Sequence, residues 1–250
     1  MVAAAAVGAL LAVLLLPPAA WLDGALERAS YGRIRLAQTE GTLWRGSARL
    51  VLIDPAASPD PPVLGGMALP GRLHWSVDLG PVLEGAVGLA LRLDGMERPL
   101  RIRLAPGSLA GSGGTLDLPS LPLERLGSPW NTIQPAGRVS IRWSEFTLEP
   151  DGFSGRVTAV IREVTSSLSP VRPLGAYQVE FDGSRETARF GMVTLEGPLR
   201  IEGDGTWTPR GGLRFAGMAW ADEEQEARLA PLLGLIGRRA GNRTMIRVGA

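Results

Sequence analysis

The sequence predicts an all-β protein: an extended, mostly antiparallel twisted sheet or sandwich, with one N-terminal transmembrane helix and a short C-terminal amphipathic helix. Three observations carry this. Apolar and polar residues alternate with period two over most of the chain, Gly, Pro or Asp turn residues bound most of the alternating runs, and apolar residues recur at helical spacing near the end. The 250 residues, 45% hydrophobic and 20% charged, suffice for one large β domain or two smaller ones.

The chain opens on a membrane-type run, since residues 2–22 carry no charge and Asp23 is the first charged residue. That length just reaches the ~20 residues a spanning helix needs, although Pro17 and Pro18 interrupt its last turn. Trp21 suits the membrane interface. Three readings compete: an uncleaved signal anchor over residues 1–22, a cleaved signal peptide, and a buried helix. Pro18 spoils the small-residue pattern of a cleavage site after Ala20, which favours the anchor. Arg28, Arg33 and Arg35 follow the run and no Arg precedes it, which by the positive-inside rule favours the topology opposite to a periplasmic domain.

Residues 23–250 read as one β-rich domain. Leu89, Leu91 and Leu93 alternate with Ala90, Arg92 and Asp94; Leu100, Ile102 and Leu104 alternate with Arg101 and Arg103; Val139, Ile141 and Trp143 alternate with Ser140 and Arg142. Further strands are predicted at 33–38, 48–53, 72–79, 153–164, 177–181, 187–195, 199–207 and 213–219. Turns are expected at Asp94-Gly95, Asp151-Gly152 and Asp182-Gly183. One apolar face per strand fits a sheet that covers a core on one side.

Two stretches interrupt the pattern. Residues 55–70 are dense in Pro and Gly and read as a loop. Residues 118–135 are a second interruption, with room for a helical turn around 121–126, and can mark a subdomain border. Asp222 and the acidic Glu223, Glu224 and Glu226 suit a helix start; Leu229, Leu232, Leu233 and Ile236 follow at helical spacing, and Gly237 ends it, with Pro231 in the middle. A last strand is predicted at 244–248. A glycine precedes a strand tryptophan at Trp75, Trp143 and Trp207, either a degenerate repeat or ordinary β grammar.

Composition excludes several chemistries. Zero Cys removes disulfides, thiolate nucleophiles and Cys-based metal sites, and His74 as the single histidine removes multi-His sites. No Walker loop, GxSxG elbow or HExxH occurs, and Gly111-Ser112-Gly113-Gly114 lacks the following Lys. No catalytic, cofactor-binding or metal residue is assigned, and no enzymatic activity is expected. A formal net charge of +1 gives no field to recruit nucleic acid.

Three segments carry a family likeness: Gly41-Thr42-Leu43-Trp44-Arg45-Gly46 after a first strand; Pro129-Trp130-Asn131-Thr132 leading through Gly137-Arg138-Val139 to Trp143; and Leu232-Leu233-Gly234 to Gly237-Arg238-Arg239 with Gly241-Asn242-Arg243. Together they resemble type II secretion system protein N over nearly the whole chain. The resemblance implies a single-pass bacterial inner-membrane protein with a β-rich periplasmic domain, a non-enzymatic accessory of the machine that exports folded proteins across the outer membrane, with other secretion subunits as partners and no cofactor. Gly41, Thr42, Leu43, Trp44, Gly46, Trp130 and Trp143 are the candidate structural or interaction positions. Burial in the core is the preferred reading for Trp44, because a large aromatic stabilises most when buried; a binding surface is the alternative. The alternative function is an envelope lipid carrier. A single convincing amphipathic helix leaves many apolar strand faces to form a groove on a curved sheet, unless two sheets pack together.

Overall fold

The computed structural model describes residues 17–53, 66–122, 134–208 and 212–249. Two compact units divide them. The first runs to Gly95 and takes in Pro99–Pro106; the second comprises Met96–Arg98 and the chain from Gly107. The strand pairings within both are antiparallel.

The first unit begins with helix α1 (Ala20–Ala29) and continues as β1 (Ile34–Gly41), β2 (Arg45–Ile53), β3 (Gly66–Ala68), β4 (Leu73–Asp78), a 3-10 turn (Gly80–Glu84), β5 (Val87–Leu93) and β6 (Leu100–Ala105). The sheet order is β1-β2-β4-β5-β6, with β3 beside the far end of β2. Alternation puts Leu36, Ala48 and Trp75 on one face, where Leu22 and Leu26 of α1 cover them.

The second unit contains β7 (Ser108–Gly111), β8 (Gly114–Pro122), β9 (Pro135–Trp143), β10 (Phe146–Glu149), β11 (Gly152–Ser166), β12 (Gly175–Arg185), β13 (Thr187–Glu196), β14 (Leu199–Thr208), β15 (Gly212–Ala221), α2 (Glu226–Ile236), β16 (Arg238–Ala240) and β17 (Arg243–Val248). These form one continuous ladder, β8-β9-β11-β12-β13-β14-β15-β17-β16, and β10 bridges β11 to β7. Leu229, Leu232 and Leu233 of α2 are buried against Tyr177, Leu199 and Ala219. The Tyr177 hydroxyl donates to the Leu199 carbonyl at 2.9 Å, and burial pushes its pKa up.

The expected transmembrane helix is corrected at its C-terminal end. Residues 1–16 lie outside the described residues, and among the described ones no helix is long and apolar enough to cross a membrane. Residues 17–22 belong to the first unit. Pro18 bridges to Thr42, the Ala19 amide donates to the Gly41 carbonyl at 3.2 Å, and Ala19 is buried. The two prolines break the apolar run, and the helix that follows carries Asp23, Glu27 and Arg28, so it lies on the sheet.

Other expectations shift locally. Asp182 and Gly183 sit inside β12, paired with Arg156 and Gly155, and the chain reverses only after Arg185. Within 118–135, residues 118–122 are strand, so the helical turn expected from Leu121 does not begin there; 123–133 lie outside the described residues. Within 55–70, Gly66–Ala68 pairs with β2. Gly237 ends α2 with an extended backbone, not a left-handed one. Pro231 lies within the helix as its sixth residue, where it has no amide to donate to the carbonyl four residues before it.

Candidate functional site

The candidate motif forms the turn between β1 and β2. Gly41 pairs with Gly46, the Thr42 amide donates to the Arg45 carbonyl at 2.9 Å, and the Leu43 amide donates to the Pro17 carbonyl at 2.8 Å. Underneath lies Trp75 of β4, whose Nε1 donates to the carbonyls of Thr42 at 3.1 Å and Leu43 at 3.2 Å. Its ring occupies the space a side chain at Gly46 would need: a Cβ there would lie 2.4 Å from the indole. Trp75 is buried and Trp44 only half-buried, so the buried aromatic beneath the turn is Trp75 and not Trp44. Trp44 contributes its carbonyl, which accepts from the Val77 amide at 2.7 Å.

Trp143 repeats this arrangement in the second unit. It pairs directly with Gly114, and its Nε1 donates to the Ser112 carbonyl at 2.9 Å. Gly46 stands opposite Trp75 and Gly114 opposite Trp143, whereas Trp207 pairs with Ala188. Trp130 lies outside the described residues.

The second unit has two contrasting faces. On the face that α2 partly covers, Phe146, Phe153, Phe181, Phe190 and Phe215 form a row across β10, β11, β12, β13 and β15. Centroids are 5.9 Å apart for Phe146 and Phe153, 5.8 Å for Phe153 and Phe181, and 5.5 Å for Phe190 and Phe215, and Phe181 pairs with Phe190 across the strands. These are all the phenylalanines of the chain. They stay half-buried, with Val157, Ala159 and Val179 beside them, because α2 covers only the end of the sheet near Tyr177.

The opposite face is polar and holds an open cleft of about 1190 Å³. Arg189, Thr206 and Arg214 stand side by side on β13, β14 and β15, Arg247 is on β17 beside Ala216, and Asp204 lies between. Arg156 and Asp182 at the rim are ion-paired at 2.9 Å. The guanidinium groups of Arg189, Arg214 and Arg247 have no hydrogen bond or ion pair among the described residues. Elsewhere several charges are matched: Asp222 to Arg200 at 3.3 Å, Glu226 to Arg239 at 3.2 Å, Arg138 to Glu163 at 3.2 Å and Arg103 to Glu84 at 2.7 Å. The acidic start of α2 is thus partly a set of structural pairs. His74 is exposed on β4, opposite Ser47, and among the described residues no group of three or more His, Cys, Asp or Glu side chains is placed to hold a metal ion.

Sequence reasoning missed Trp75 as the clamp of the turn, the phenylalanine row and the arginine cleft. Each is assembled by cross-strand register between distant segments, and composition within any one segment gives no sign of it.

The fold and these surfaces define an all-β protein of helix-capped antiparallel sheets, whose recognisable features are sheet faces and a clamped turn. The sequence model of the family described as type II secretion system (T2SS), protein N, matches residues 32–247. The chain belongs to that family and is a component of type II secretion, which implies other subunits of the system as partners and a place in the cell envelope. No curated protein and no solved structure matches the chain.

Proposed function

We propose that the protein is a non-enzymatic accessory subunit of type II secretion, tethered to the inner membrane by its N-terminal apolar run and acting through protein contacts in the periplasm. The observation that supports contact as its mode of action is the cleft on the polar face. Arg189, Arg214 and Arg247 project into an open space without partners of their own, where carboxylates of another subunit would find complementary charge. All three are exposed and remote from the core, so charge reversal tests the contact without unfolding the sheet. A triple Arg→Glu variant is expected to keep its far-UV spectrum and melting temperature, lose capture of other secretion subunits after crosslinking, and reduce export of folded cargo. Unchanged capture and export would reject this face as the contact.

A second reading has its own observation. The phenylalanine row and its aliphatic neighbours form a half-covered apolar face beyond the end of α2, and acyl chains would complete its burial. Organic extraction of the purified protein yielding stoichiometric phospholipid supports a lipid carrier, whereas a lipid-free protein that captures secretion subunits supports the scaffold.

A further inference from the structure

The first unit has two ends, and its exposed apolar side chains gather at one of them. The turn between β1 and β2 marks that end. Asp78 pairs with Gly88 and Val87 with Leu104, so the 3-10 turn and the start of β5 lie there too, and the Val77 amide's bond to the Trp44 carbonyl ties the two turns together. The described chain enters at the same end, through the Pro17 carbonyl on Leu43 and the Pro18 bridge to Thr42.

Here stand Trp21, Leu79, Val82, Leu83 and Leu104. Leu79 and Val82 are each 50% exposed and Leu83 is 98% exposed. Among the described residues, Tyr31 is the other large exposed apolar side chain of this unit, and it follows the C-terminus of α1 at the opposite end. None of the residues of the 3-10 turn, GPVLE, is buried. Its charges are muted, since Glu84 pairs with Arg103 at 2.7 Å and the Asp78 carboxylate accepts the Gly80 amide at 2.9 Å.

We infer that this end of the first unit docks on the bilayer surface, with Leu83 at the tip of the turn inserted among the lipids and Trp21 at the headgroup level. The occupant follows from where the chain comes from. Residues 2–16 are uncharged and apolar, and they lead directly into Pro17 at this end. An anchor delivering the chain there brings Leu79, Val82 and Leu83 to the membrane without a further association step, so a small apolar contact adds to a tether that already exists. A tryptophan beside such leucines is the composition of an interfacial contact. The inference rests on the reading of residues 1–16 as a membrane tether, and it adds a fixed orientation of the first unit to that reading.

The chain has no cysteine, so one introduced thiol labels one place. Full-length protein carrying Leu83→Cys or Tyr31→Cys, labelled with an environment-sensitive fluorophore, is reconstituted into phosphatidylethanolamine–phosphatidylglycerol vesicles containing nitroxide-labelled lipid. Both positions are solvent-exposed, so neither substitution touches the core. Docking predicts a blue shift and strong quenching at position 83 and neither at position 31. Quenching at neither site, in protein that resists carbonate extraction, overturns the docking and leaves the tether standing. Equal quenching at both sites overturns the end-on orientation. Release of the protein by carbonate removes the tether and the docking together.

Discussion

The ring of Phe190 stacks on that of Phe215 at a centroid distance of 5.5 Å and an interplanar angle of 16°, although their strands are not neighbours. The strand between them contributes Gly205, which pairs with both. A Cβ at Gly205 would lie 2.2 Å from the Phe190 ring, so the missing side chain lets two aromatics meet over the backbone. Gly205→Val is therefore expected to force the rings apart and destabilise the second unit by about 1–3 kcal/mol, an overpacking cost. Denaturant titration checks the magnitude. A loss of the near-ultraviolet aromatic signal with far-ultraviolet signal retained would locate it at the stack, and wild-type stability in the variant would show that the rings do not need the gap.

Local pattern made most of the strands legible and hid their relations. Leu89, Leu91 and Leu93 announce β5 by alternation, and the spacing of Leu229, Leu232 and Leu233 announces α2, because each signal lies within one element. The four-residue β7 and β10 are too short for alternation to stand out. Asp182-Gly183 has the composition of a turn, yet strand pairing on both sides outweighs that local preference, and the Arg156 ion pair joins Asp182 to its neighbour. The candidate turn at Gly41 to Gly46 was visible as a motif, but its clamp was not, because Trp75 reaches it from another hairpin.

That clamp separates two tryptophans by their expected cost. Trp75→Phe keeps most of the apolar volume but removes the donor that serves the Thr42 and Leu43 carbonyls, for a loss of about 1–2 kcal/mol. Trp75→Ala adds a cavity and should cost about 3–5 kcal/mol. Trp44→Ala, at a half-buried position that contributes its backbone carbonyl, should cost less than Trp75→Ala. Parallel melts of the three variants give the order, and a larger effect at Trp44 than at Trp75 would return Trp44 to the core.

Helix α2 offers a cleaner contrast, because its two faces differ within one turn. Leu232 is buried and Leu235 exposed. Leu232→Ala is expected to destabilise the second unit by about 2–5 kcal/mol, as a buried leucine does when truncated. Leu235→Ala is expected to stay within about 0.5 kcal/mol. Similar losses at both positions, read from urea midpoints at unchanged slope, would mean that the helix packs by a different face.

Acid should loosen the first unit at a defined place, the attachment of α1 to β1. The Arg35 guanidinium donates to both carboxylate oxygens of Asp23, with the shortest contact at 2.8 Å, and reaches Glu27 at 3.0 Å; the Leu36 amide adds a bond to Asp23 at 2.8 Å. The hydrogen bonds from Arg35 hold the Asp23 pKa below its ordinary value of 3.8, the Leu36 amide adds to this, and partial burial opposes it. Because the folded pKa is depressed, the stabilising contribution is present above the unfolded pKa and is lost as pH falls through the lower folded value. Asp23→Asn keeps an acceptor for the Leu36 amide but lacks the charge, so it should cost about 1–2 kcal/mol near neutral pH, allowing for solvent at a partly exposed pair. The difference between wild type and variant should shrink as pH drops below 3.8, where the wild-type carboxyl also becomes neutral. Denaturation of both proteins over a descending pH series measures that gap. A gap that stays constant into acid would show that it does not arise from the charge of Asp23 and its pairing with Arg35.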